Sequence, residues 1–199
     1  LIDSSGKITE RYDKIHLVPF GEYIPLKKIF PFLKTLVPIG DIAAGAGYSI
    51  FKIPNRTPPI QNTFSVLICF EDLFPEISRE FVKRGAEFLV NITNDAWYKK
   101  TAAAYQHFQA SVFRAVENRV FLARSSNTGV SGFISPTGEI ISLVEEKGGK
   151  DIFVDGFDTQ EIISHKKNLT LYTKYGDVFP YACLLLLLCA IIARFFKKR

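Results

Sequence analysis

The chain has 199 residues, 47% hydrophobic, 14% aromatic and 23% charged, which fits one globular domain with an appendage and excludes two full domains or a disordered chain. The net charge of +5 invites a nucleic-acid partner, yet Arg194, Lys197, Lys198 and Arg199 supply four of the 25 basic residues, leaving 21 basic against 20 acidic side chains in the rest. The excess is a terminal cluster, and no basic, aromatic-interleaved stripe marks a nucleic-acid surface, so no nucleic acid is expected as partner.

Short apolar or alternating runs bounded by Gly, Pro, Asn, Asp or Ser predict strands, and the first covers residues 7–13. Residues 23–48 fit neither helix nor strand: three prolines and three glycines interrupt Ile29, Phe30, Phe32, Leu33, Leu36 and Val37. An apolar loop of that length either covers the core or lies at a membrane interface. Its Gly45 and Gly47 are a poor phosphate cradle, because no Gly-Lys-Ser/Thr follows. A strand is predicted over 64–70, then a helix over 75–84, opened by Pro75 in its first turn and closed before Gly85. A strand over 87–92 precedes a second helix over 102–119, with Tyr105, Phe108, Val112, Phe113 and Val116 at helical spacing. Strands over 120–125, 130–135, 139–144 and 152–157 follow. Strand and helix alternating, then a meander, imply an α/β layered domain with helices packed outside a sheet.

Sixteen uncharged residues run from Val178 to Ala193, and the run to Phe196 would span roughly 28 Å as a helix, near the thickness of a bilayer core. A five-leucine block ending in Lys-Lys-Arg offers no polar face to water, which argues against a buried core helix. The basic cluster after the span predicts a cytoplasmic C-terminus, with residues 1 to about 175 on the other side of the membrane.

Of the three cysteines, Cys183 and Cys189 lie in the apolar run, so a disulfide framework is excluded and one thiol remains in the domain. His16, His107 and His165 have no metal-site spacing, and no metal or organic cofactor is expected. Cys69 ends an apolar strand before a turn and a proline-opened helix, where α/β domains expose ligand-binding side chains; the same thiol could equally be an inert core residue. A thiol nucleophile needs a base and a positive charge for the developing oxyanion. Lys14 is a candidate for that charge or a solvated surface lysine, and His16 makes a Cys/His dyad conceivable. Glu71 could orient an attacking amine or simply cap a helix start.

Assembled, the pattern is specific. The run Arg11 to Pro25 (RYDKIHLVPFGEYIP), Ile68-Cys69-Phe70-Glu71, Pro75-Glu76, Asn94-Asp95-Ala96-Trp97-Tyr98 and Gln106-His107-Phe108-Gln109 closely resembles the apolipoprotein N-acyltransferases of the nitrilase or carbon-nitrogen hydrolase superfamily. The resemblance implies a nitrilase-like αββα sandwich, partial because its N-terminal strands are missing, over residues 1–175, then one transmembrane helix at 177–196 and a basic cytoplasmic tail at 197–199. It implies that Cys69 is the acyl-accepting nucleophile and Lys14 the oxyanion-stabilising residue, with Glu22 orienting the lysine. Glu71, Phe70 and Trp97 match substrate-pocket positions, Phe70 standing where many members have tyrosine. The implied reaction moves an acyl chain from a phospholipid, through a thioester, to the amine of a diacylglyceryl-apolipoprotein, at the bacterial inner membrane with the catalytic domain facing the periplasm. One departure is plain: the family's base is a glutamate tens of residues before the lysine, and only Asp3, Glu10 and Asp13 precede Lys14 here. The sequence therefore reads as the C-terminal part of a longer protein, expected to be inactive and poorly stable alone. A membrane-anchored amidase and an inactive tail-anchored fragment are the alternatives.

Overall fold

In the computed structural model the described residues are 1–27, 29–32, 42–53, 63–162 and 168–197. Leu33, Leu36 and Val37 of the apolar loop, His165, and Lys198 and Arg199 of the basic end lie outside them.

Strands β1 (Phe51–Lys52), β2 (Thr63–Ile68), β3 (Phe88–Thr93), β4 (Phe121–Ser126), β5 (Gly132–Ile134) and β6 (Ile140–Leu143) form one sheet in chain order. The central three are parallel, and β1, β5 and β6 add antiparallel edges. Parallel neighbours need crossovers, supplied by α1 (Pro75–Lys83) and α2 (Ala103–Asn118). In α1, Ile77, Ser78, Phe81 and Val82 turn inward at helical spacing. The helix stops where Gly85, at φ 108°, lets its own N–H reach Val82 O and that of Ala86 reach Phe81 O, the paired closure of a Schellman end.

The register sets Leu67 beside Asn91 and Asn91 beside Arg124, so these three share one face of the sheet. On that face Leu67, Leu89, Leu122 and Ile134 are fully buried against Ile77, Phe81, Phe108, Val112 and Ala115. The layered α/β arrangement is thus present as a helical layer over a sheet. On the opposite face Ile92 is 47% exposed, and Val90, Ala123 and Phe133 line a cleft with Val154 and Phe157.

Two expected strands do not form. Residues 7–13 carry only the single bridge from Ile8 to Ile2; Ile8 points to solvent and Tyr12 leans its ring edge-on against Phe81, so no sheet edge receives the segment. In 152–157 the left-handed Phe153, at φ 54°, turns the chain out of extension, and its N–H goes to Thr128 O.

After the meander, Thr170 caps α3 (Leu171–Tyr175): its hydroxyl oxygen accepts from Thr173 N–H at 2.9 Å. That hydroxyl also donates to Glu117 O at 2.6 Å, and Thr173 donates to Asn118 Oδ1 at 3.0 Å, stitching α3 to the last turn of α2. Helix α4 (Val178–Lys197) follows; its window Val178–Phe195 has mean hydropathy 2.3, none of it buried, and it is long and apolar enough to cross a membrane.

Candidate active site

Strand β2 ends at Ile68, and the next residue, Cys69, sits in the left-handed region at φ 54°. For a residue with a Cβ this conformation costs about 1–3 kcal/mol and persists only where its surroundings impose it. Here they do. Ile68 N–H donates to Glu71 Oε2 at 2.8 Å, and Asn91 Nδ2 donates to Cys69 O at 3.2 Å, fixing the chain on both sides of the Cys69 Cα. The half-buried thiol opens a short 3-10 turn, Cys69–Leu73, so α1 begins only at Pro75.

Lys14 lies on the loop after residue 13 with its side chain 10% exposed, and its Nζ donates to both oxygens of Glu22 at 2.8 Å. Glu22 Oε2 also accepts Val18 N–H at 2.8 Å, which folds the 18–22 turn around the ammonium. Gly45 N–H donates to Lys14 O at 2.8 Å, and a Cβ at Gly45 would overlap the Asp13 carbonyl. Close backbone packing, not a phosphate, explains this glycine. His16 turns its ring onto Phe74, with centroids 3.6 Å apart and planes tilted by 32°.

Glu71 departs from its expected place. It is fully buried, set behind the cysteine turn: Oε1 accepts from Tyr12 Oη at 2.9 Å, Ile15 N–H at 2.8 Å and His16 N–H at 3.1 Å, and Oε2 from Ile68 N–H. One carboxylate therefore clamps the lysine loop to the cysteine turn. Burial, reinforced by that carboxylate, holds the Tyr12 phenol protonated far above its usual range.

A cavity of about 380 Å³ opens at Cys69, walled by Val18, Pro19, Phe20, Phe70, Trp97 and Tyr98, with Glu22 and Asn94 as polar lining. Trp97 is 81% exposed at its rim. Cys69, Glu22, Phe70 and Trp97 thus meet at one cavity, with Lys14 held against it through Glu22, whereas Glu71 stands behind. Glu22 is the one acidic side chain lining it among the described residues.

Behind the cysteine turn lies a polar cluster that sequence reading overlooked. His107 Nε2 meets Asp72 Oδ1 and its Nδ1 meets Asp95 Oδ1, both at 2.8 Å. Arg124 donates to Asp72 Oδ2 at 2.8 Å and to Asp95 Oδ2 at 3.0 Å, and Ser111 donates to Asp72 Oδ2 at 2.6 Å. Burial alone would depress the His107 pKa; the two aspartates outweigh it and push it up to about 9. Burial likewise opposes the Asp95 carboxylate, but His107 and Arg124 hold its pKa below the usual value. The available signal was the spacing 107, 111, 114, 118, a polar stripe on one side of α2, of which His107, Ser111, Arg114 and Asn118 are all buried.

The carbon-nitrogen hydrolase family model matches residues 1–166. An apolipoprotein N-acyltransferase of Geobacter metallireducens is 42% identical over 184 residues, 92% of this chain and 33% of that protein. One from Thermotoga maritima is 34% identical over 193 residues, 97% of this chain and 35% of that protein. An amidase from Nesterenkonia sp. is 19% identical with a TM-score of 0.49, over 72% of this chain and 48% of that one. The chain spans about a third of the length of the curated relatives it matches.

Proposed function

Because the chain belongs to the carbon-nitrogen hydrolase family, we propose that Cys69 is the nucleophile of an acyl transfer in which a lipid ester is the donor and a lipoprotein amine the acceptor. The Cys69 thiolate attacks the ester carbonyl of a phospholipid, and the Lys14 ammonium stabilises the oxyanion. The C–O bond then breaks, the lysophospholipid leaves as an alcohol with a proton, and a thioester remains on the sulfur. The α-amine of a diacylglyceryl-cysteine on an apolipoprotein attacks that thioester, the C–S bond breaks, and the amide product departs as the amine gives up its proton.

The observation that carries this reading is a strained cysteine at an apolar-walled cavity whose acidic lining residue, Glu22, holds Lys14. Phe70 and Trp97 in that wall suit an acyl chain, and an apolar wall protects a thioester from water. Helix α4 anchors the domain in the bacterial inner membrane, its basic end cytoplasmic and the site on the periplasmic side. Glu22 is committed to Lys14 and Glu71 to four donors, so neither is offered as the base that takes the thiol proton.

The test is interception of the acyl-enzyme. Incubation of the intact membrane protein with phospholipid is expected to add one acyl mass to the Cys69 peptide, labile to hydroxylamine, with release of lysophospholipid; Cys69→Ala abolishes both. An acyl adduct that survives the substitution refutes the nucleophile. Ammonia from short amides without lysophospholipid would assign the site to amidase chemistry instead.

A further inference from the structure

We infer that His107 is a positioning residue for this reaction: its doubly hydrogen-bonded imidazolium ties the turn carrying Cys69 to the turn carrying Trp97 and Tyr98, and the cavity between them keeps its shape only while the ring is charged. The inference rests on the reading of Cys69 as nucleophile. Asp72 lies three residues after Cys69, and Asp95 lies just before the 3-10 turn Ala96–Tyr98, so each carboxylate anchors one wall of the cavity. His107 grips both carboxylates at 2.8 Å, one with each ring nitrogen. A neutral imidazole has one N–H, so loss of a proton turns one of these bonds into two facing lone pairs.

The groups around the ring make that loss consequential. Asp72 faces it from the cysteine turn, Asp95 and Tyr98 from the second turn, Arg124 from β4, and Ser111 completes Asp72 from α2 itself. Two carboxylates against one guanidinium and one imidazolium are balanced; without the imidazolium proton a net negative charge stays buried. Arg124 Nη2 lies 3.0 Å from His107 Nδ1 and donates to Asp95 Oδ2 at 3.0 Å. Its second N–H can meet the freed lone pair, but Asp95 Oδ1 then loses the bond that ties it to the ring, and with it goes one of the two ties between the turn of Cys69 and the turn of Trp97 and Tyr98. The ring centroids of Phe70 and Tyr98, both cavity walls, stand 6.2 and 5.7 Å from that of His107. His107 itself is 3% exposed and does not line the cavity.

The experiment follows two rates in the intact membrane protein from pH 6 to 10.5, each per folded site: acylation of Cys69 by phospholipid, and alkylation of Cys69 by iodoacetamide, which needs no lipid. In the wild type both rates are expected to break as pH passes about 9. Asp95→Asn, which keeps shape and removes one anionic partner, moves the break down by about 1–2 pH units. His107→Gln removes the break and lowers acylation at pH 7 by about tenfold to a hundredfold with the half-saturating lipid concentration unchanged. A purely structural role would change the yield of folded protein and leave all three profiles superimposable per folded site; that result overturns the inference, as does a break that stays put in Asp95→Asn. If the wild type takes no acyl chain while the alkylation break moves as stated, the acyl-transfer reading fails and the role of His107 stands.

Discussion

Replacing Glu71 with alanine removes the acceptor of four donors at once: the Tyr12 hydroxyl and the Ile15, His16 and Ile68 amides. A buried donor left without a partner costs about 1–3 kcal/mol, and because water can reach these half-buried groups the low end applies to each, giving about 3–5 kcal/mol in all. In a domain of this size that loss lowers the melting temperature by about 10–15 °C. Glu71→Gln keeps the volume and one oxygen. If that oxygen serves Tyr12, Ile15 and His16, the amide NH2 is set against the Ile68 N–H, a loss of about 2 kcal/mol. Melting of the intact protein in detergent, followed by circular dichroism, should therefore rank wild type above Gln and Gln above Ala. Acylation should fall in the same order, since Ile15 and His16 adjoin Lys14. A Glu71→Ala protein within about 1 kcal/mol of wild type, or Gln and Ala melting together, would refute the account of Glu71 as a clamp.

Lys14→Met should slow acylation by about a hundredfold to a thousandfold while iodoacetamide still labels Cys69, read by intact-mass spectrometry. Gly45→Ala sets a methyl against the Asp13 carbonyl and should cost about 1–3 kcal/mol in thermal denaturation, with a weaker effect if the 42–47 loop yields. The pH dependence of stability has a defined sign. His107 has its folded pKa raised from 6.5 to about 9, so its contribution is complete below about pH 6.5 and is lost as pH rises through about 9. The gap in melting temperature between wild type and His107→Gln should accordingly narrow between pH 7 and 10, and a constant gap would contradict it.

The parts of the fold legible from sequence are those where pattern and punctuation agree. Pro75 and Gly85 bracket α1 to within a residue, and the short apolar run bounded by turn signals, expected as a strand over 64–70, forms β2 over Thr63–Ile68. Periodicity misled where the partner was missing or the inside was polar. Residues 7–13 have two apolar side chains, one of them in solvent, and no edge to join. On α2, the aromatic spacing drew attention to Tyr105 and Phe113, which are 44% and 55% exposed, while His107, Ser111, Arg114 and Asn118 face inward. Polar residues on a helix read as solvated unless their partners on other elements are known, and Asp72, Asp95 and Arg124 lie on three of them. Lys14 and Cys69 stood out for the opposite reason: the resemblance rests on their distinctive local sequence, although the Glu71 clamp between their segments needed coordinates.

The stitching of α3 to α2 gives the molecule a mechanical property. Ten residues separate Glu117, which receives Thr170, from His107, and at 1.5 Å per residue that is a strut of about 15 Å between α3 and the turns of Cys69 and Trp97. Such a rod transmits tilt without absorbing it. The position of α3 relative to the cysteine turn is thereby set by a count of helical turns in α2, and inserting or deleting one would shift or swing the point where the chain enters α4.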